Sequence, residues 1–101
     1  GITFKENCPD VRNTKVVDVV KHLKEYGTNV TIYDPLADPA EVEHEYGLKT
    51  VNQLPKEKFD SVVLAVAHKE FLDMDLDILK NGKTVVYDVK GVLKNKCDKK
   101  L

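Results

Sequence analysis

Gly1-Ile2-Thr3-Phe4-Lys5-Glu6-Asn7-Cys8-Pro9-Asp10-Val11-Arg12-Asn13-Thr14-Lys15 opens the chain with a short apolar run, a polar loop and the start of a helix. Ile2 and Phe4 suit a buried strand. Pro9 continues neither a helix nor a central strand, and Asp10, Asn13 and Thr14 can each accept a hydrogen bond from the free N–H groups of a helix start. A strand, loop, helix connection puts its loop at the strand's C-terminal end, where open α/β sheets bind ligands. Lys5 and Arg12 bracket that loop. Cations beside a helix N-terminus, whose dipole and unpaired amides favour phosphate, point to an anionic ligand. On the residues alone, two solvated surface cations fit equally well.

The 101 residues suffice for one domain with a single core. Apolar residues make up 42% and charged residues 33%, the balance of a soluble globular chain rather than a disordered one. A net charge of −1 offers no basic field for nucleic acid. No apolar run approaches the roughly 20 residues that span a membrane, so neither nucleic acid nor a membrane is an expected partner. The chain starts inside an apolar strand with no basic segment ahead of it, so no signal peptide is expected and a cytoplasmic location fits. A central strand has about five or six residues. Only residues 1–5 stand here, so the chain is expected to be a piece of a longer protein. Cys8 and Cys97 lie at opposite ends without Cys-x-x-Cys spacing, and His22, His44 and His68 fall on three different predicted elements. Neither a disulfide nor a metal site is expected.

Beyond the loop, Val16, Val19, Val20 and Leu23 recur at helical spacing, which predicts a helix over 13–26 that Gly27 ends. Its valines make it depend on packing. Residues 29–33 read as a second strand, closed by Asp34-Pro35. An acid at this point is where a dinucleotide-binding domain holds ribose, yet the G-x-G-x-x-G turn is missing and Asp-Pro equally starts a turn. Asp38, Pro39 and Gly47 bound a short helix, and 48–51 form a brief edge strand. Residues 61–67 are apolar on both faces, the mark of a strand covered by helices on each side. His68 follows on the ligand side, as a ligand contact or as a structural hydrogen-bonding residue. Residues 71–79 form an amphipathic segment broken by Asn81-Gly82, 83–89 the last strand, and 94–101 a charged tail expected to fray. These elements predict an α/β, Rossmann-like, doubly wound parallel sheet of five strands, in the order 3-2-1-4-5 with right-handed crossovers.

Residues 1–15 resemble the segment Gly-(Ile/Leu)-Thr-Phe-Lys-Glu-Asn-x-x-Asp-x-Arg-Asn-(Ser/Thr)-Lys that opens the C-terminal domain of the UDP-glucose/GDP-mannose dehydrogenase family. They are most similar to its UDP-N-acetylhexosamine (GlcNAc/GalNAc) 6-dehydrogenases. Tyr33-Asp34-Pro35, Ala65-Val66-Ala67-His68 with Phe71, and Asp88-Val89-Lys90-Gly91 agree in the same order, so the likeness covers nearly the whole chain. The resemblance implies that residues 1–101 are the UDP-sugar-binding domain of an enzyme of polysaccharide biosynthesis. That enzyme oxidises the C6 hydroxyl of a UDP-sugar to a carboxylate in two NAD-dependent steps, through a cysteine-bound intermediate. It implies two further domains, an N-terminal one that binds NAD and a helical central one that carries the nucleophile and dimerises. A homodimer or higher homo-oligomer is then expected. By the same resemblance Phe4 and Lys5 lie beside the nucleotide sugar, Arg12 reaches across the cleft toward NAD, and no catalytic residue lies within this chain. Cys8 is then a loop residue and not the nucleophile.

Two other classes share the fold. A stand-alone nucleotide-binding or regulatory Rossmann-like domain stays open, although the missing glycine turn argues against its binding NAD unaided. A phosphoacceptor receiver domain has a lysine like Lys90 after its last strand. It also needs an acid pair after the first strand and an aspartate after the third; Glu6 and Asp10 are too far apart and no suitable aspartate follows 48–51.

Overall fold

The computed structural model describes residues 1–90 and, as backbone, 99–100. Gly91, Cys97 and, of the expected tail 94–101, residues 94–98 and 101 lie outside the described residues. The second helix forms where local chemistry asks for it. Helix α1 spans Val16–Glu25 and α2 spans Pro39–Tyr46. The Asp38 side chain accepts the Ala40 amide at 3.0 Å, and Gly47 closes α2 at a left-handed φ of 69°.

Helix α1 begins later than expected and turns a different face inward. Asn13 is left-handed at φ 59° and so stands outside the helix, while Thr14 Oγ1 accepts the Val16 amide at 3.3 Å. Val17 and Val20 are buried and Val16 packs beside them, whereas Val19 is 46% exposed. Both stripes, 16-19-20-23 and 16-17-20-23, obey helical spacing. Only contact with Ile2, Ile32 and Val42 in one core selects the second.

Strands β1 (Ile32–Tyr33) and β2 (Thr50–Val51) form one parallel pair. Strands β3 (Phe59–Leu64), β4 (Lys80–Asp88) and β5 (Lys99–Lys100) form a second parallel sheet in that order. Helix α3 (Lys69–Leu72) and a 3-10 helix (Leu76–Leu79) connect β3 to β4. Among the described residues this is an α/β domain with parallel strands.

Four expectations meet a different arrangement. First, the described strands stand in two parallel sheets, β1-β2 and β3-β4-β5, with residues 1–4 in neither ladder and the amides of Ile2 and Thr3 donating to the Asp34 carboxylate. Residues 1–4 nevertheless run between the two sheets. The Gly1 nitrogen donates to the Tyr33 carbonyl at 3.0 Å, and a Cβ on Gly1 would meet Val66 Cβ at 2.8 Å.

Second, among the described residues the strand over 61–67 is covered on one face only. It ends at Leu64, and Val63, Val85 and Tyr87, at 37%, 36% and 39% exposure, share its outer side with Ser61. Leu64 and Val86 point the other way, into a core with Phe71, Leu76 and Leu79. Third, Asn81-Gly82 lies inside β4. An irregular register between Phe59 and Ser61 absorbs it, and Thr84 Oγ1 accepts the Asn81 amide at 2.9 Å. Fourth, Lys99–Lys100 of the expected tail pairs with Tyr87 and Asp88 as a strand.

Candidate functional site

The loop after residues 1–4 is closed on itself by the Phe4 amide, which donates to the Asp10 carbonyl at 2.7 Å. The base of the loop therefore joins Phe4 and Lys5 on one side to Asp10 through Arg12 on the other. The chain reverses at Asn7, whose φ of 58° is left-handed; asparagine tolerates this region because its short side chain bonds nearby backbone. Asn7 Oδ1 accepts the Lys69 amide at 2.8 Å, so the loop caps the start of α3. The Asn7 amide donates to His68 Nδ1 at 2.9 Å. Thr3 Oγ1 donates to the Lys5 carbonyl at 3.0 Å.

Beneath the loop lies a buried ion and its partners. Asp34 Oδ2 accepts the Ile2 and Thr3 amides at 2.8 and 3.3 Å, and Oδ1 accepts the Leu36 and Ala37 amides at 2.8 and 3.1 Å. His68 Nε2 stands 3.0 Å from Oδ2 and 3.1 Å from Thr3 Oγ1. Since Nδ1 receives the Asn7 N–H, it holds no proton; the ring hydrogen is on Nε2 and faces Asp34 and Thr3. Burial by itself raises the Asp34 carboxyl, but the bonds from Ile2, Leu36 and His68 outweigh it and leave the group below its ordinary pKa. Asp34, His68 and Thr3 are wholly buried.

The five candidate residues thus separate into two layers. Phe4 is 55% exposed and Lys5 is exposed beside it. Arg12 is exposed as well, but its guanidinium already grips Asp10, with Nε 3.1 Å from Oδ1 and Nη2 3.3 Å from Oδ2. That contact pulls Asp10 below the ordinary carboxylate range and raises Arg12, with smaller help from Glu41 and Glu45. Arg12 opens onto a shallow recess of about 470 Å³ that Lys15, Asp18, Glu45 and Tyr46 also line. A ligand anion at Arg12 has to displace Asp10, whereas Lys5 meets no ion-pair partner within 4.0 Å among the described residues. Asp34 and His68 are brought together under the loop, not onto its surface.

Sequence reasoning does not single out Thr3 and Asn7, which tie the loop down. Asn7 carried one usable signal, an asparagine inside a polar loop where a left-handed turn is needed. Cys8 is half-buried and free of any disulfide.

The loop after residue 4 has no glycine-rich cradle for the pyrophosphate of NAD. No glycine stands between Gly1 and Gly27, and the amides of Phe4, Asn7 and Arg12 that could cradle a pyrophosphate are taken by Asp10, His68 and Asp10.

A parallel α/β domain that holds a cationic loop at the C-terminal edge of its strands belongs to the class that receives phosphate-bearing ligands. The sequence profile of the UDP-glucose/GDP-mannose dehydrogenase family, UDP binding domain, matches residues 1–95, and the chain belongs to that family. It is 47% identical to a UDP-N-acetyl-D-glucosamine 6-dehydrogenase of Pseudomonas aeruginosa, over 100% of the chain and 25% of that protein. It is 44% identical to the enzyme of the same name from Salmonella typhi, over 92% of the chain and 23% of that protein. Protein CapL of Staphylococcus aureus is 42% identical over 92% of the chain and 22% of its own length. The chain thus spans about a quarter of the length of these relatives. No helix among the described residues is long and apolar enough to cross a membrane.

Proposed function

We propose that this chain is the UDP-sugar-binding part of an NAD-dependent UDP-sugar 6-dehydrogenase that works in polysaccharide biosynthesis, with a UDP-N-acetylhexosamine as substrate. The observation that carries this reading is the exposed Phe4–Lys5 pair on a loop closed by the Phe4 to Asp10 bond, in a chain 44% and 47% identical to two UDP-N-acetyl-D-glucosamine 6-dehydrogenases. In this reading Lys5 places its ammonium against the sugar nucleotide and the Phe4 ring covers an apolar edge of it. Arg12 exchanges Asp10 for NAD, which supplies the hydride acceptor and is held by another part of the enzyme.

By the resemblance to the family the nucleophilic cysteine also lies outside this chain, and Cys8 is a loop residue. We read residues 1–4 as the strand that joins the two sheets in the order 3-2-1-4-5, a reading supported by the Gly1 contacts to Tyr33 and Val66. A cytoplasmic homodimer or higher homo-oligomer, assembled through a central domain, completes the proposal. The test is to give the whole protein that contains this chain UDP-N-acetylglucosamine and NAD and to follow absorbance. Oxidation of an alcohol to a carboxylate removes four electrons, so two NADH per sugar are expected. The 101-residue chain alone should form none. Absence of NADH with UDP-N-acetylglucosamine, UDP-N-acetylgalactosamine and UDP-glucose alike would leave the chain a nucleotide-binding domain without this chemistry.

A further inference from the structure

We infer that His68 is the positioning residue of the substrate loop, and that it acts through one atom, Nδ1, on the Asn7 amide. The inference rests on the reading that Lys5 meets the sugar nucleotide. Lys5 and Asn7 are themselves exposed, so solvent would leave their backbone free to take several conformations. Three bonds prevent this. Thr3 Oγ1 holds the Lys5 carbonyl at 3.0 Å, His68 Nδ1 holds the Asn7 amide at 2.9 Å, and the Asn7 side chain holds the Lys69 amide at 2.8 Å. Two of the three involve His68 or the residue after it, and Thr3 Oγ1 is also 3.1 Å from His68 Nε2.

The ring performs this only in one tautomer and one orientation. Asp34 supplies both: its Oδ2, 3.0 Å from Nε2, takes the ring hydrogen and leaves the Nδ1 lone pair for Asn7. A flipped ring would set C–H groups against the carboxylate and the amide. Phe71, with its ring centre 5.3 Å from that of His68, closes the remaining side. Loss of the Asn7 bond alone should cost little stability, because a freed amide at an exposed residue can turn to water. What is lost is the place of the loop. His68 therefore differs from an ordinary buried histidine in that its effect should appear in substrate affinity.

Two replacements separate its two nitrogens. In His68→Asn the side-chain oxygen occupies the place of Nδ1 and can accept the Asn7 amide, while the bond to Asp34 is lost. In His68→Gln the terminal amide reaches Asp34 and no acceptor faces Asn7. The unsubstituted 101-residue chain, labelled with nitrogen-15, is measured first. A coupling across the hydrogen bond between the Asn7 nitrogen and an unprotonated His68 Nδ1 is expected; a protonated Nδ1 or no coupling overturns the proposal, whatever the variants do.

In the variants, the amide signals of Lys5 and Asn7 should stay near their original positions in His68→Asn and move in His68→Gln. In the whole enzyme, KM for the UDP-sugar should rise about tenfold in His68→Gln and less than about threefold in His68→Asn, with KM for NAD unchanged in both. Equal effects of the two variants, tracking their loss of stability, would make His68 a structural residue only and overturn the proposal. A loop displaced in His68→Gln with an unchanged UDP-sugar KM would instead overturn the reading that Lys5 meets the substrate.

Discussion

His68 Nε2 lies 3.0 Å from Asp34 Oδ2 with both side chains wholly buried, although 34 residues separate them in the chain. A carboxylate so placed is stable only because every lone pair facing the protein meets a donor; removing its charge leaves four amides and a ring N–H aimed at a weaker acceptor. Asp34→Asn preserves size but turns an NH2 group toward some of those donors. It should lower unfolding free energy by about 3 kcal/mol or more in urea titration, with the slope m unchanged. A loss below about 1 kcal/mol would show that water replaces the carboxylate readily.

The same group sets part of the acid stability. The Asp34 carboxyl titrates lower in the folded chain than its ordinary value of 3.8, so its contribution is present above that value and is lost as pH falls through it toward the folded pKa. Urea midpoints measured from pH 6 down to 3 should fall less steeply in Asp34→Asn than in the parent. Parallel curves would mean that other carboxylates carry the acid sensitivity.

Lys5 and Arg12 should fail differently in the whole enzyme. Lys5→Ala should raise the UDP-sugar KM or lower kcat with little effect on NAD, and Arg12→Ala should chiefly raise the NAD KM. Each lost charge-assisted bond is worth about 1.5–3 kcal/mol, roughly tenfold to a hundredfold in kcat/KM. The Arg12 effect should lie at the low end, because the ligand competes with Asp10 for the guanidinium. Varying each substrate in turn decides it, and exchanged patterns would mean that the two sides of the loop face the opposite ligands.

Cys8→Ser should leave kcat of the whole enzyme within a few-fold. Cys8 is half-buried in a loop fixed by Asn7 and Pro9, with no residue of the Asp34–His68 pair bonded to it. A fall of the size expected for loss of a covalent nucleophile would place the chemistry in this chain after all.

Gly1→Ala should destabilise the chain by about 1–3 kcal/mol, since an added Cβ would meet Val66 Cβ at 2.8 Å and the Phe71 ring at 3.3 Å. Thermal unfolding measures it. An unchanged midpoint would show that residues 1–4 can withdraw from the space between the two sheets.

What the sequence determined by itself is what rests on neighbours in the chain. Asp38, Pro39 and Gly47 specify the second helix, because capping bonds and a left-handed glycine act over a few residues. The Lys5 and Arg12 loop was legible for the same reason, as a proline-broken loop that runs on into a helix, although residues 1–5 ahead of it form no ladder of their own.

The tertiary structure decided whatever depends on residues distant in sequence. Helical spacing permits either Val17 or Val19 to face inward, and contact with Ile2, Ile32 and Val42 chose Val17. An apolar run such as Ser61 to Ala67 does not reveal whether a helix covers its second face, and among the described residues Val63 remains partly exposed. Asp34 and His68 were each visible at a strand end with two meanings. Their pairing, and the bonds of the Ile2 and Thr3 amides to Asp34, arise only when three segments distant in the chain meet, because a buried carboxylate takes its donors from whichever segments folding places around it.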